Sequence, residues 1–224
     1  MAYVDIGAVA AEGTLSVDWG NQIRANQQAG VPDILTTKGD LAVATGADAA
    51  ARLAAGADDS IVVYDSSQAT GMATQIIPAC RVYNDANIDP TPDTWVTLTF
   101  NSERVDTNAM HSTASNTSRL TVPTGGTGLY LIGGNVEFDT SGETSGEIPM
   151  GVRILLNGAT VIASDYRTQS THDGAEDSRV SITTMYSLAA TNYLELQAWV
   201  GSNVNILVTG NYSPEFWATW IRRA

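Results

Sequence analysis

Gly128 to Asp139, GLYLIGGNVEFD, alternates large apolar residues with others around a pair of glycines. Tyr130, Ile132, Val136 and Phe138 share one face of an extended chain, because successive side chains of a strand point to opposite sides. Gly133 and Gly134 mark a bulge or a close approach of another backbone. The next apolar run, VRILLNGATVIA from Val152 to Ala163, reads as a hairpin. Its Asn157-Gly158 pair supplies the two positive φ angles of a type I′ turn.

The same alternation runs on either side of these two stretches. Val96, Leu98 and Phe100 alternate with Trp95, Thr97 and Thr99. Val180, Ile182, Tyr186 and Leu188 follow, then Leu194, Leu196, Ala198 and Val200, then Val204, Ile206 and Val208. The chain closes with SPEFWATWIRRA, in which Phe216, Ala218 and Trp220 oppose Trp217, Thr219 and Ile221. Short strands at this spacing predict an all-β antiparallel sandwich or barrel from Ala79 onward. A sandwich strand with one wet face does not carry large apolar residues on both sides. One indole of the last strand therefore packs the core, and the other is covered by something else, most simply a second copy.

Ahead of this region the composition changes. Residues 1–32 hold SVDWGNQIRANQQAG, which reads as a short helix capped by Ser16 or Asp18 and stopped by Gly30 and Pro32. Trp19 and Ile23 lie four apart on one face, and such a short helix needs a docking surface. Residues 33–78 contain two credible strands, DLAVAT and SIVVYD, separated by the small-residue run GADAAARLAAGADD. Large apolar side chains are too few here to offset about 1–2 kcal/mol of backbone ordering per residue. Three copies wound about one axis change that balance. The organisation expected is an attachment segment (1–32), an extended trimeric stem (33–78) and a globular head (79–224).

The 224 residues carry a net charge of -13 and a single lysine, Lys38. An electrostatic grip on nucleic acid needs Lys and Arg to displace counterions, so DNA, RNA and anionic membrane surfaces are not expected as partners. The acidity suits solubility and repulsion between particles. One cysteine, Cys80, rules out a disulfide within the chain and a cysteine-based zinc site; it reads as a small buried hydrophobe. The first residues lack a basic region and carry Asp5 in their apolar stretch, so no secretory signal is expected. No window approaches the ~18 apolar residues of a membrane span, and no membrane insertion is expected.

Enzymatic motifs are missing. His111 and His172 lie outside H-x-x-x-H, H-E-x-x-H and G-x-S-x-G contexts, and no glycine-rich phosphate loop occurs. No catalytic residue, cofactor or metal is assigned. The loop QSTHDGAEDSR, with His172, Asp173, Glu176 and Asp177, has the oxygen ligands for a hard cation but lacks the EF-hand spacing. Asn116 and Asn211 match the N-x-S/T glycosylation sequon.

The strand GLYLIGGNVEF, Gly128 to Phe138, resembles the G-x-Y-x-I/V-x-G-x-V-x-F strand of C1q and tumour-necrosis-factor-like jelly rolls. LLNG and the terminal NYSPEFWATWI sit where that family has its turn and its aromatic closing strand. The resemblance covers residues 79–224 and implies a ten-strand jelly roll that assembles as a homotrimer about its aromatic faces. The run from Leu35 to Met72 resembles a segment of bacteriophage fibre and minor tail proteins, and MHSTASNTSRLTVP resembles the C1q-like heads of such proteins. The collagen Gly-X-Y stalk of the animal family is absent, which disfavours complement-type function.

Together these resemblances imply a structural virion protein: a homotrimeric tail fibre or tail-tip protein, made in the host cytoplasm and displayed on the virion surface for host attachment. A capsid fibre or decoration protein without a receptor site is the alternative, and a cellular C1q-like binding protein is a third reading. Trp19, Ile23 and Arg24 are the expected anchors to tail or capsid proteins. Trp199, Phe216, Trp217 and Trp220 are the expected subunit interface, each fully buried large side chain contributing ~1.5–3 kcal/mol. Tyr166, His172, Asp173 and Tyr212 are the candidates for recognising a host-surface glycan or protein.

Overall fold

The computed structural model describes residues 34–47, 49–143, 146–170 and 176–223. The expected N-terminal helix and its anchors Trp19, Ile23 and Arg24 lie outside the described residues, as do His172 and Asp173. The chain divides into two units, Met1–Ile76 and Ile77–Ala224.

In the first unit, β1 (Leu41–Gly46) pairs with β2 (Ala49–Leu53), and β3 (Ile61–Tyr64) pairs with β4 (Met72–Gln75), both antiparallel. The two runs expected as strands therefore contain β1 and β3. The small-residue run contributes a strand that sequence pattern alone did not suggest, because Ala49–Leu53 folds straight back on β1 and satisfies its backbone groups. Asp40 closes this hairpin. Its carboxylate accepts the Thr36 and Thr37 N–H groups at 2.9 and 2.7 Å and the Ala55 N–H at 3.0 Å. Desolvation pushes the Asp40 carboxyl up, but these donors and Arg52 outweigh it and hold its pKa at about 2.

Among its described residues the second unit is a sandwich of ten strands. They are β5 (Ala79–Tyr83), β6 (Val96–Thr97), β7 (Ser102–Asp106), β8 (Arg119–Thr121), β9 (Gly128–Phe138), β10 (Glu147–Leu156), β11 (Thr160–Ser170), β12 (Ser178–Leu188), β13 (Tyr193–Val200) and β14 (Glu215–Arg222). One sheet has the order β12-β9-β14-β5-β7 and the other β11-β10-β13-β6, with β8 also on β13. Every pairing is antiparallel. Every consecutive pair of strands from β5 to β14 changes sheet except the β10–β11 hairpin, and the unit's first and last strands, β5 and β14, lie side by side. That order is a jelly roll.

The core lies between the sheets. Tyr130, Ile132, Val136 and Phe138 of β9 meet Met150, Val152 and Ile154 of β10 and Leu194, Leu196 and Val200 of β13, all essentially without exposure. Phe216 stacks on Phe100 with ring centres 5.9 Å apart. Register between β9 and β12 runs unbroken through the glycine pair, so the pair is a close approach and not a bulge. A Cβ on Gly133 would enter the Trp217 ring, and one on Gly134 would lie 2.7 Å from Leu196 Cδ2. Each glycine makes room for a large side chain on its own side of the sheet.

Asn157 and Gly158 both take positive φ, as the hairpin reading required. The loop runs one residue further, to Ala159, and the register shifts where Leu155 pairs with Val161. The expected strand over 204–208 is instead an irregular segment, in which Ile206 bridges Ile88 and Phe138. Cys80 is buried, and burial pushes its thiol up, with Asp106 and Glu103 adding to the effect.

Candidate functional site

The outward faces of the two sheets differ in chemistry. On the β12-β9-β14-β5-β7 sheet, an apolar stripe crosses the strands. Met185, Leu131, Thr219 and Ala79 stand in one row, and Trp217 occupies the next row beside Gly133 and Arg81. Met185 is 62 % exposed, Ile221 44 % and Val105 46 %, while Leu131 and Trp217 are half-buried.

Toward one end of the same face the stripe gives way to charge. Glu215 has a side chain only 1 % exposed, and it is held by Arg104 at 2.5 Å and by Arg81, whose Nε donates at 2.6 Å. Arg104 lies 4.1 Å over the Tyr83 ring. Glu137 pairs with Arg179 at 3.1 Å, and Arg179 stacks 3.9 Å over Tyr212. Glu215 is buried because the Arg81 and Arg104 donors replace the water it loses, whereas Glu137 keeps one partner, Arg179, and its buried Oε2 meets no donor among the described residues. Removing a partner from such a buried charge costs ~3–5 kcal/mol.

On the outward face of the β11-β10-β13-β6 sheet three aromatic rings converge. Tyr166 and Trp199 flank Gly151 in register, and their ring centres are 6.0 Å apart. Trp95 meets Tyr166 edge-on at 5.5 Å. Gly151 keeps the approach close, since a Cβ there would lie 3.0 Å from the Asp165 carbonyl oxygen and from Tyr166 Cδ1, and the neighbours would have to give by a few tenths of an ångström. The adjoining row holds Ser164, Arg153, Gln197 and Thr97. Arg153 lies 4.2 Å over the Trp95 ring, its Nε donates to Gln197 Oε1 at 2.7 Å, and Gln197 Nε2 donates to Thr97 Oγ1 at 2.8 Å.

These placements sort the residues expected from sequence. Phe216 and Trp220 are corrected as interface residues: they are 0 % and 7 % exposed and pack the core of their own chain. Alternation along β14 puts both on the inner face with Ala218. Trp217 is the indole left on the outside of that strand. Trp199 stands on the opposite outward face of the sandwich, so it cannot share one flat interface with Trp217. Tyr166 and Tyr212 are likewise separated, Tyr166 on the β10–β11 side and Tyr212 against Arg179 of β12.

Sequence reasoning missed Trp95, Arg153 and Gln197. The signal was present, since Trp95 and Trp199 fall on the polar side of their own alternating runs. His111 is buried with Nδ1 2.9 Å from Glu103 Oε1 and Nε2 3.2 Å from the Thr117 carbonyl, so it ties β7 to the loop after it. Among the described residues no group of three His, Cys, Asp or Glu side chains is placed to hold a metal ion.

No family model and no curated protein matches the chain. Among solved structures it is similar to the globular domain of zebrafish complement 1qA protein, at 13% identity over 66% of this chain and 99% of that one, with a TM-score of 0.42. It is also similar to murine APRIL in its crystal structure at pH 5.0, at 10% identity over 65% of this chain and 99% of that one, with a TM-score of 0.45. The strand order assigns the jelly roll independently of either likeness.

Proposed function

We propose that this chain is a structural virion protein of a bacteriophage, a homotrimeric fibre or tail-tip subunit whose jelly-roll head is displayed on the virion surface for host attachment. The observation that carries the oligomer is the apolar stripe around Trp217. An outward sheet face that holds a half-exposed indole, an exposed methionine and an exposed isoleucine is the kind of patch that marks an interaction surface. Burial between copies contributes about 25 cal/mol per Å2 of apolar surface removed from water, before the entropic cost of association. The first unit supports the same reading. Its hairpins leave Leu41, Ile61, Val62 and Tyr64 exposed, and a two-stranded hairpin is marginal alone.

The phage assignment rests on the resemblance of residues 35–72 and 110–123 to fibre and minor tail proteins. In this reading residues 1–32, with Trp19, Ile23 and Arg24, join tail or capsid proteins, and neither an enzymatic activity nor a cofactor is required. Two measurements test it. Light-scattering mass of the full chain at nanomolar concentration is three times the chain mass, and Trp217→Asp reduces it to one; a wild-type monomer overturns the trimer. Trp19→Asp abolishes incorporation into particles, and incorporation at the wild-type level overturns the anchor. Immunogold labelling then decides between tail and head.

A further inference from the structure

We propose that the outward face around Tyr166, Trp199, Trp95 and Arg153 is a carbohydrate platform that takes one acidic sugar residue of a surface polysaccharide. This rests on the host-attachment reading above and names its ligand class. A pyranose has C–H faces and a hydroxyl edge. The negative face of an aromatic ring attracts the C–H side, and fixed hydroxyl, amide and guanidinium groups take the edge.

The sheet supplies both parts in adjoining rows. Tyr166, 55 % exposed, and the half-buried Trp199 and Trp95 set their rings at 51° and 89° to one another, which makes a cradle and not a flat patch. Beside them stand Ser164, Arg153, Gln197 and Thr97. The three rings match one or two sugar units, far below the ~800 Å2 per partner that a stable protein interface buries.

The charge preference comes from Arg153. Arg81, Arg104, Arg119 and Arg179 on the outward faces each hold a glutamate. Arg153 is given an amide instead, Gln197, and makes no ion pair among the described residues. Its guanidinium is already fixed by the Trp95 ring and by the Gln197–Thr97 chain, so little side-chain freedom is lost when it meets an anion. Its outer edge suits a planar carboxylate, which guanidinium binds with two parallel hydrogen bonds. In a chain with 24 acidic and 11 basic side chains, an unmatched fixed cation points to an anion from outside.

Saturation-transfer NMR on the full chain tests this with the methyl glycosides of glucuronic, galacturonic and N-acetylneuraminic acids, and with methyl glucoside and methyl galactoside as neutral counterparts. Transfer to at least one acidic glycoside is expected. Tyr166→Ala should lower it tenfold, and Arg153→Gln should lower it at least fivefold while leaving any neutral signal unchanged. Silence from all three acidic probes overturns the proposal, as does transfer that both variants leave intact. Equal transfer from neutral and acidic probes overturns the role of Arg153. A fall in oligomer mass for Tyr166→Ala assigns the face to a second copy, and overturns the platform. Host attachment fails separately, if particles lacking the protein adsorb normally while the purified chain still binds the sugar.

Discussion

The hairpins of residues 34–76 and the jelly roll of residues 77–223 are built from the same local signals, short alternating strands and glycine-rich turns, with opposite results for burial. In the hairpins Ile61 and Leu41 are 39 % and 45 % exposed; in the jelly roll Tyr130, Phe138 and Phe216 are at 0 %. Strand-forming residues alone do not exclude water. Two five-stranded sheets packed face to face do so in the jelly roll, whereas the two-stranded hairpins leave these side chains exposed. The first unit therefore depends on whatever lies against it, while the second carries its own core.

The largest expected effect lies in that core. Phe216→Ala removes a ring stacked on Phe100 and should destabilise the jelly roll by ~3–5 kcal/mol in denaturant unfolding followed by tryptophan fluorescence. A loss below ~1 kcal/mol would mean that the core collapses around the gap. Next comes the pairing of β9 with β14. Gly133→Ala drives a methyl into the Trp217 ring and should cost ~1–3 kcal/mol, with a shift in indole emission as the ring lifts from the sheet. An unshifted spectrum at wild-type stability would show that the close approach is not what requires glycine.

In the hairpins the expected effects are smaller and of another kind. Leu41→Ser with Val62→Ser should leave the jelly-roll unfolding transition within ~0.5 kcal/mol, as surface substitutions do, yet lower the denaturant concentration at which chains separate. If the two transitions move together, the units are not energetically distinct. The smallest effect is a pH response. The Asp40 carboxyl is depressed from 3.8 to about 2, so its contribution is fully present above pH 3.8 and is lost as pH falls through about 2. Protection factors of the Thr36, Thr37 and Ala55 amides, taken against the intrinsic exchange rate at each pH, should fall together across that window, and in Asp40→Asn that fall should vanish.

How much was legible in sequence follows from the range of each signal. Alternation with period two is a property of neighbouring residues, so it placed Tyr130, Ile132, Val136 and Phe138 on one inner face and the two positive φ angles at Asn157 and Gly158. It also showed that β14 has two apolar sides. It could not say which side was inner, because that depends on which sheet β14 joins. Phe216 was therefore placed at an interface that it does not reach. The small-residue strand Ala49–Leu53 escaped for a related reason, since pairing with β1, and not side-chain volume, makes it a strand.

By itself the sequence determined an all-β head with its turns, a strongly acidic composition and a cysteine set among apolar neighbours, all of which depend on residue type and near neighbours. Tertiary structure alone decided which tryptophan faces outward, that Gly133 and Gly134 make room for Trp217 and Leu196, and that Trp95, Arg153, Tyr166 and Trp199 meet on one face. Those four residues are up to 104 positions apart (199 − 95), and only the order of strands in the sheet brings them together.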